Sequence, residues 1–95
     1  MSVVITFKSA AMSSAQYDQV ITALEAAHAG NPPGRLYHVC YGDPSRLNVT
    51  DVWDGRENFQ LFAQTLMPVL QKIGVDPGTP EMYPVHNVIE HHEFA

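Results

Sequence analysis

Charge is scarce in this chain of 95 residues: Asp, Glu, Lys and Arg make up 16% of it, against about 25% in an ordinary soluble domain. Five of those side chains are basic and ten acidic, for a net charge of −5. Five scattered cations leave no electrostatic footprint for a phosphate backbone, which argues against nucleic acid as a partner. No stretch approaches the roughly 20 consecutive apolar residues of a membrane-spanning helix. The opening run, MSVVITF, has neither the basic flank nor the apolar length of a signal peptide. The single cysteine, Cys40, cannot close an internal disulfide and suits a reducing compartment, so the cytoplasm is the expected location. Repeats, low-complexity stretches and internal linkers are missing as well.

What is present is 45% apolar residues, close to the usual share. The length implies one domain over 1–95, with 90–95 a polar tail, burying about two-thirds of the extended chain's surface. A small domain with so few charges is expected to hide part of its surface against a second copy of itself.

Val3 to Phe7 reads as a strand, rich in β-branched residues. Ser13 with Gln16 three residues later forms a capping box, and Met12 with Tyr17 fits a hydrophobic staple. Tyr17, Val20, Ile21, Leu24 and His28 follow at helical spacing, and Gly30, Pro32 and Pro33 end that helix. His28, near the helix C-terminus, is placed for a favourable dipole contact. Leu36–Tyr41 and Leu47–Trp53 alternate as strands, joined by a turn at Asp43-Pro44-Ser45-Arg46. Centred on Pro44-Ser45, the hairpin sets Leu36 opposite Trp53, His38 opposite Asp51 and Cys40 opposite Val49 on one face. The other face carries Tyr37, Val39, Tyr41 and Val52.

Asp54 is the expected cap of a second helix, with Glu57 three residues on and a stripe of Phe59, Phe62, Ala63, Leu66, Leu70 and Ile73. Pro68 lacks an N–H and clashes with the Gln64 carbonyl, which predicts a break near Leu66 and a short second helix from Pro68 to Ile73. Met82 to Ile89 is the last expected strand, with Pro84 pushing it to a sheet edge or bulge. The order strand, helix, strand, strand, helix, strand is that of a ferredoxin-like α+β fold: a four-stranded antiparallel sheet with both helices on one side. Its bare side would show Tyr37, Val39, Tyr41 and Val52, an apolar patch that a twin protomer would cover.

The run Asp51-Val52-Trp53-Asp54-Gly55-Arg56-Glu57-Asn58-Phe59 resembles the strand-to-helix junction of the dimeric α+β barrel superfamily, above all its antibiotic-biosynthesis-monooxygenase-like members. Gln16-Tyr17-Asp18, His38-Val39 and Pro84-Val85-His86-Asn87-Val88-Ile89 resemble a little-characterised branch of it. The resemblance implies a homodimer with a ligand pocket between sheet and helices in each protomer, and a Trp53 that faces that pocket. Haem-degrading relatives place an axial histidine at the position of Ala63, flanked here by Phe62 and Gln64, and this helix holds no histidine. The resemblance therefore implies a pocket without haem, and no cofactor is expected.

As cross-strand neighbours, His38 and Asp51 would form a carboxylate–imidazole pair fit for a general base, or else a structural bridge in a half-polar core. Trp53, Phe59 and Phe62 are candidates to pack on a substrate, the bland alternative being core. His86 is a candidate second polar wall, its facing undetermined because both residue sets around it are apolar. Asn87, on the other face, would reach across a dimer. Cys40 reads as a small buried hydrophobe. His86, His91 and His92 with Asp51 match no metal-ligand spacing, so no metal is expected. With these residues, the resemblance implies a cofactor-independent monooxygenase or related enzyme acting on a small aromatic or polyketide-like molecule. The alternative is a non-catalytic small-molecule-binding or structural dimer.

Overall fold

The computed structural model describes residues 1–9 and 11–90. Its elements follow the expected order: β1 (Val3–Lys8), α1 (Ser14–Ala26), β2 (Arg35–Asp43), β3 (Arg46–Trp53), α2 (Arg56–Ile73) and β4 (Glu81–Pro84). The strands form one antiparallel sheet in the spatial order β2-β3-β1-β4. That is the ferredoxin-like α+β arrangement.

Local chemistry starts α1. The Ser13 hydroxyl accepts from the Gln16 N–H at 3.2 Å, and the Ser13 N–H donates to Gln16 Oε1 at 3.0 Å. Two orphan donors of the first turn are thereby satisfied. Val20 and Leu24 turn inward from this helix. The tip of the β2–β3 hairpin is tied to the loop before α1, because Ser14 N–H donates to Pro44 O and Leu47 N–H to Met12 O, each at 2.8 Å. The hairpin keeps the expected register, His38↔Asp51 and Cys40↔Val49, except at its open end. There the ladder slips, Arg35 pairs with Trp53, and Leu36 is an extra residue exposed to 55%.

Two expectations for the second helix are corrected. Gly55, not Asp54, is the N-cap; the Asp54 carboxylate accepts from the Asn58 side-chain amide at 3.2 Å instead. Nor does the helix break: Pro68 lies inside a continuous α2. One apolar stripe, with Phe59, Phe62 and Leu70 buried, runs on both sides of the proline. Burying such side chains is worth about 1.5–3 kcal/mol each, enough to hold both halves on one axis despite the lost hydrogen bond. Gly74 closes α2 in the left-handed region at φ 89°, its N–H donating to Leu70 O at 2.9 Å.

The last strand is shorter than expected. It ends at Pro84, which pairs with Val3 but has no N–H to extend the ladder, and a single further bond joins Val85 N–H to Ser2 O at 2.9 Å. His86 to Ile89 therefore lie beyond the strand.

Between sheet and helices sits the core, in which Ile5 and Trp53 are fully buried. Trp53 packs edge-on against Phe59 at 5.6 Å and tilted against Phe62 at 5.5 Å between centroids. The opposite sheet face bears no helix. Tyr37, Val39, Tyr41 and Tyr83 stand exposed on it at 42%, 51%, 42% and 60%.

Pro68→Ala would restore the missing N–H to an exposed helical position. It is expected to raise the free energy of unfolding by up to about 3 kcal/mol, read from a higher urea midpoint at unchanged slope. No gain would mean that the helix is already bent to suit the ring.

Candidate functional site

Side chains at Val49 and Asp51 of β3 and at His38 of β2 point to the helical side of the sheet. There, with α1 and α2, they enclose a cavity of about 70 Å³ that is open on one side. Leu24, Phe62, Leu66 and Leu70 give it an apolar wall, and Tyr17, Arg35, His38 and Asp51 supply its polar groups.

Three of those groups, Tyr17, His38 and Asp51, are chained by short hydrogen bonds. Asp51, 4% exposed, accepts at Oδ1 from His38 Nδ1 at 2.6 Å and at Oδ2 from Trp53 Nε1 at 3.3 Å. A carboxylate only accepts, so His38 donates from Nδ1, and in the neutral imidazole its Nε2 presents a lone pair. The Tyr17 hydroxyl donates to that lone pair at 2.6 Å, with the two rings within 7° of parallel. The result is an imidazole fixed in one tautomer and one orientation by groups at both ends, as a general base requires. Burial pushes the Tyr17 phenol up from its ordinary range; the Cys40 thiol adds to this and the Arg35 guanidinium opposes it. Tyr17 is thus held as a neutral donor.

His38, Asp51 and Phe62 line the cavity; Trp53 and Phe59 do not. Trp53 is wholly enclosed behind the wall and acts on the site through its bond to Asp51. The pocket-facing tryptophan implied by the resemblance is replaced here by a buried one that orients a carboxylate. His86 is exposed and belongs to no wall of the cavity. His91 and His92 lie outside the described residues. Among the described residues, no three metal-ligating side chains gather. Cys40 is half-buried rather than buried as expected; partial burial, followed by the Asp18 charge, raises its pKa.

Sequence reasoning missed Tyr17 and Arg35 as members of the site. The signal for Tyr17 was its helical phase with Val20 and Leu24, which put its hydroxyl on the sheet-facing side. Arg35 carried no such signal, since its placement depends on the slipped ladder.

Comparison with solved structures finds the same architecture repeatedly. A candidate antibiotic biosynthesis monooxygenase from Chloroflexus aurantiacus superposes with a TM-score of 0.62 at 18% identity, over 93% of this chain and 97% of that one. SnoaB, a cofactor-independent oxygenase from Streptomyces nogalater, gives 0.61 at 14% identity, over 95% and 96%. A further candidate antibiotic biosynthesis monooxygenase, from Deinococcus radiodurans, gives 0.60 at 17% identity, over 98% and 100%. The chain has the α+β fold of these monooxygenase-like proteins. No protein-family model matches the sequence, and no curated protein does. Among the described residues, no helix is long and apolar enough to cross a membrane.

The folded chain holds the Tyr17 proton more tightly than the unfolded chain does. The stability tied to that proton is present in full below the ordinary value of 10.0 and is lost as pH rises through the raised one. Wild type should therefore lose stability above pH 10 more steeply than Tyr17→Phe, as followed by urea denaturation across the alkaline range. Parallel curves would show that the hydroxyl is solvated and outside the hydrogen-bond chain.

Proposed function

We propose that the protein is a cofactor-independent monooxygenase-like enzyme that removes a proton from a small aromatic molecule and passes the resulting carbanion to dioxygen. The observation that carries the reading is the Tyr17–His38–Asp51 chain on the wall of an apolar cavity. The likeness of fold to SnoaB, a cofactor-independent oxygenase, supports the oxygen chemistry.

The substrate proton passes to the Tyr17 oxygen while the Tyr17 proton moves to His38 Nε2, and Asp51 stabilises the imidazolium that forms. The carbanion gives one electron to dioxygen, and the carbon radical and superoxide join to form a C–O bond. Protonation by the same chain makes a hydroperoxide. Loss of the second C–H proton with cleavage of the O–O bond leaves a carbonyl and water. A CH2 group and one O2 thus become C=O and H2O, with four electrons moved from carbon to oxygen. Phe62 and the leucines exclude water from the ionised intermediate. The cavity is about half the ~150 Å³ that accommodates a benzene ring, so a ring enters by displacing lining side chains; unbranched Met12 is the most adaptable of them.

The active form is a homodimer closed over the bare sheet face. Tyr37, Val39, Tyr41 and Tyr83 form an apolar surface that a second copy would bury about a two-fold axis. Sedimentation of the wild type is expected to give twice the 10.5 kDa chain mass, and Val39→Asp, at the middle of that face, a monomer. A wild-type monomer at micromolar concentration would remove the dimer from this reading.

Oxygen uptake with hydroxyarenes bearing an acidic C–H tests the chemistry. His38→Gln and Asp51→Asn should each lower kcat by about 10²- to 10⁴-fold, with the fold verified by circular dichroism. Uptake that ignores both substitutions sinks the base assignment. Altered ligand affinity without any turnover would identify a binding module instead.

A further inference from the structure

The slip in the ladder between β2 and β3 decides which side chain closes the cavity beside Phe62. If the register of His38↔Asp51 continued, Leu36 would stand opposite Trp53 on the helical side. The extra residue turns Leu36 outward, 55% exposed, and Arg35 takes the place opposite Trp53 and lines the cavity. For stability alone this is the poorer choice, since it wets a leucine and brings a cation against an apolar wall. Bulges recur beside functional sites because they re-aim a side chain in this way. Gly34 fixes the approach. It sits at φ +88°, and a Cβ there would lie 2.5 Å from Asn58 Nδ2 and 2.6 Å from Asp54 Oδ1. Its carbonyl accepts from the Asp54 N–H at 2.8 Å.

Among the described residues, Arg35 is the one Lys or Arg on the cavity wall, in a chain of net charge −5. Of its five N–H donors, a single one is engaged among the described residues, Nη2 to Gly30 O at 3.0 Å. No described carboxylate lies within salt-bridge distance of it. Its guanidinium carbon stands 5.7 Å from the Phe62 ring centroid, which holds the planar group without using its hydrogen bonds. The Asp51 carboxylate directs one oxygen to His38 and the other to Trp53. The site therefore has a rigid fork of donors, of which Nη2 alone meets an acceptor among the described residues.

We infer that Arg35 anchors an oxyanion, and that the ligand of the cavity is a small aromatic acid presenting a carboxylate or phenolate to the guanidinium while its ring enters the apolar part. A planar fork suits a planar anion, and a guanidinium binds one where a lysine would act only as a point charge. The inference names the ligand class for the oxygenase reading of the same cavity, yet it stands on the bulge and not on His38.

Calorimetric titration with benzoate, 4-nitrophenolate and neutral benzamide tests it, at a pH where both acids are ionised. Wild type is expected to bind at least one anion on the order of tenfold tighter than benzamide. Which anion is preferred tells carboxylate from phenolate. Arg35→Met should erase the preference, and Arg35→Lys, which keeps the charge and loses the fork, should keep part of it. Equal affinity of wild type for all three probes overturns the inference, as does a folded Arg35→Met that retains the preference. If Arg35→Met does not fold, Arg35→Lys and the wild-type comparison of anion with amide decide alone. His38→Gln separates the two readings. It should lose oxygen uptake and keep the anion preference. Anion binding by a wild type that takes up no oxygen discards the oxygenase alone, and wild-type oxygen uptake without anion preference discards the anchor alone.

Discussion

A carboxylate taken almost wholly out of water must have its lone pairs met, and Asp51 meets this with two ring N–H groups, His38 Nδ1 and Trp53 Nε1. Leaving such a charge buried without partners would cost several kcal/mol, so this pair of bonds constrains everything around it. Trp53 has to lie under the sheet with its nitrogen turned to Asp51 on its own strand, and Phe59 and Phe62 of α2 pack against its ring. His38 must hold one tautomer, and that tautomer makes Tyr17 of α1 a donor. A single acidic residue thus links both helices to the central hairpin.

The same contacts give the cavity its character. Its wall is apolar because the core-facing stripes of α1 and α2 do not fully meet above β3. It has a polar end because the hydrogen-bond chain of Tyr17, His38 and Asp51 borders the gap. Trp53 stands behind the cavity wall and holds Asp51 rather than lining the cavity. This differs from what the resemblance of the Val52-Trp53 junction implied, and the reason is geometric. An indole that satisfies a buried carboxylate on its own strand cannot also turn its ring to the opening.

Much of the fold was legible in the residues. The capping box at Ser13 and Gln16, the period-two alternation on either side of Pro44-Ser45 and the stripe from Phe59 to Ile73 each depend on neighbours in the chain, and all three appear in the structure. The pairing of His38 with Asp51 followed from turn position alone. Where the reading failed, a distant contact had overruled a local preference. Pro68 stays in α2 because the stripe is buried on both sides of it. Asp54 leaves its capping role because Asn58 offers its carboxylate another partner. The last strand stops at Pro84 because that residue pairs with Val3, the first residue of β1, and has no N–H to carry the ladder on.

By itself, then, the sequence determined the order of elements, the antiparallel hairpin and the facing of a histidine and an aspartate. Helical and strand periodicities are properties of short stretches, and a tight turn fixes register over a few residues. Only the tertiary structure decided that Tyr17 completes the chain, that Trp53 lies behind it, and that a one-residue slip brings Arg35 inward in place of Leu36. Each of these depends on how α1, α2 and the end of β3 pack together across the core. That packing is a sum over residues far apart in the chain, and no local pattern encodes it.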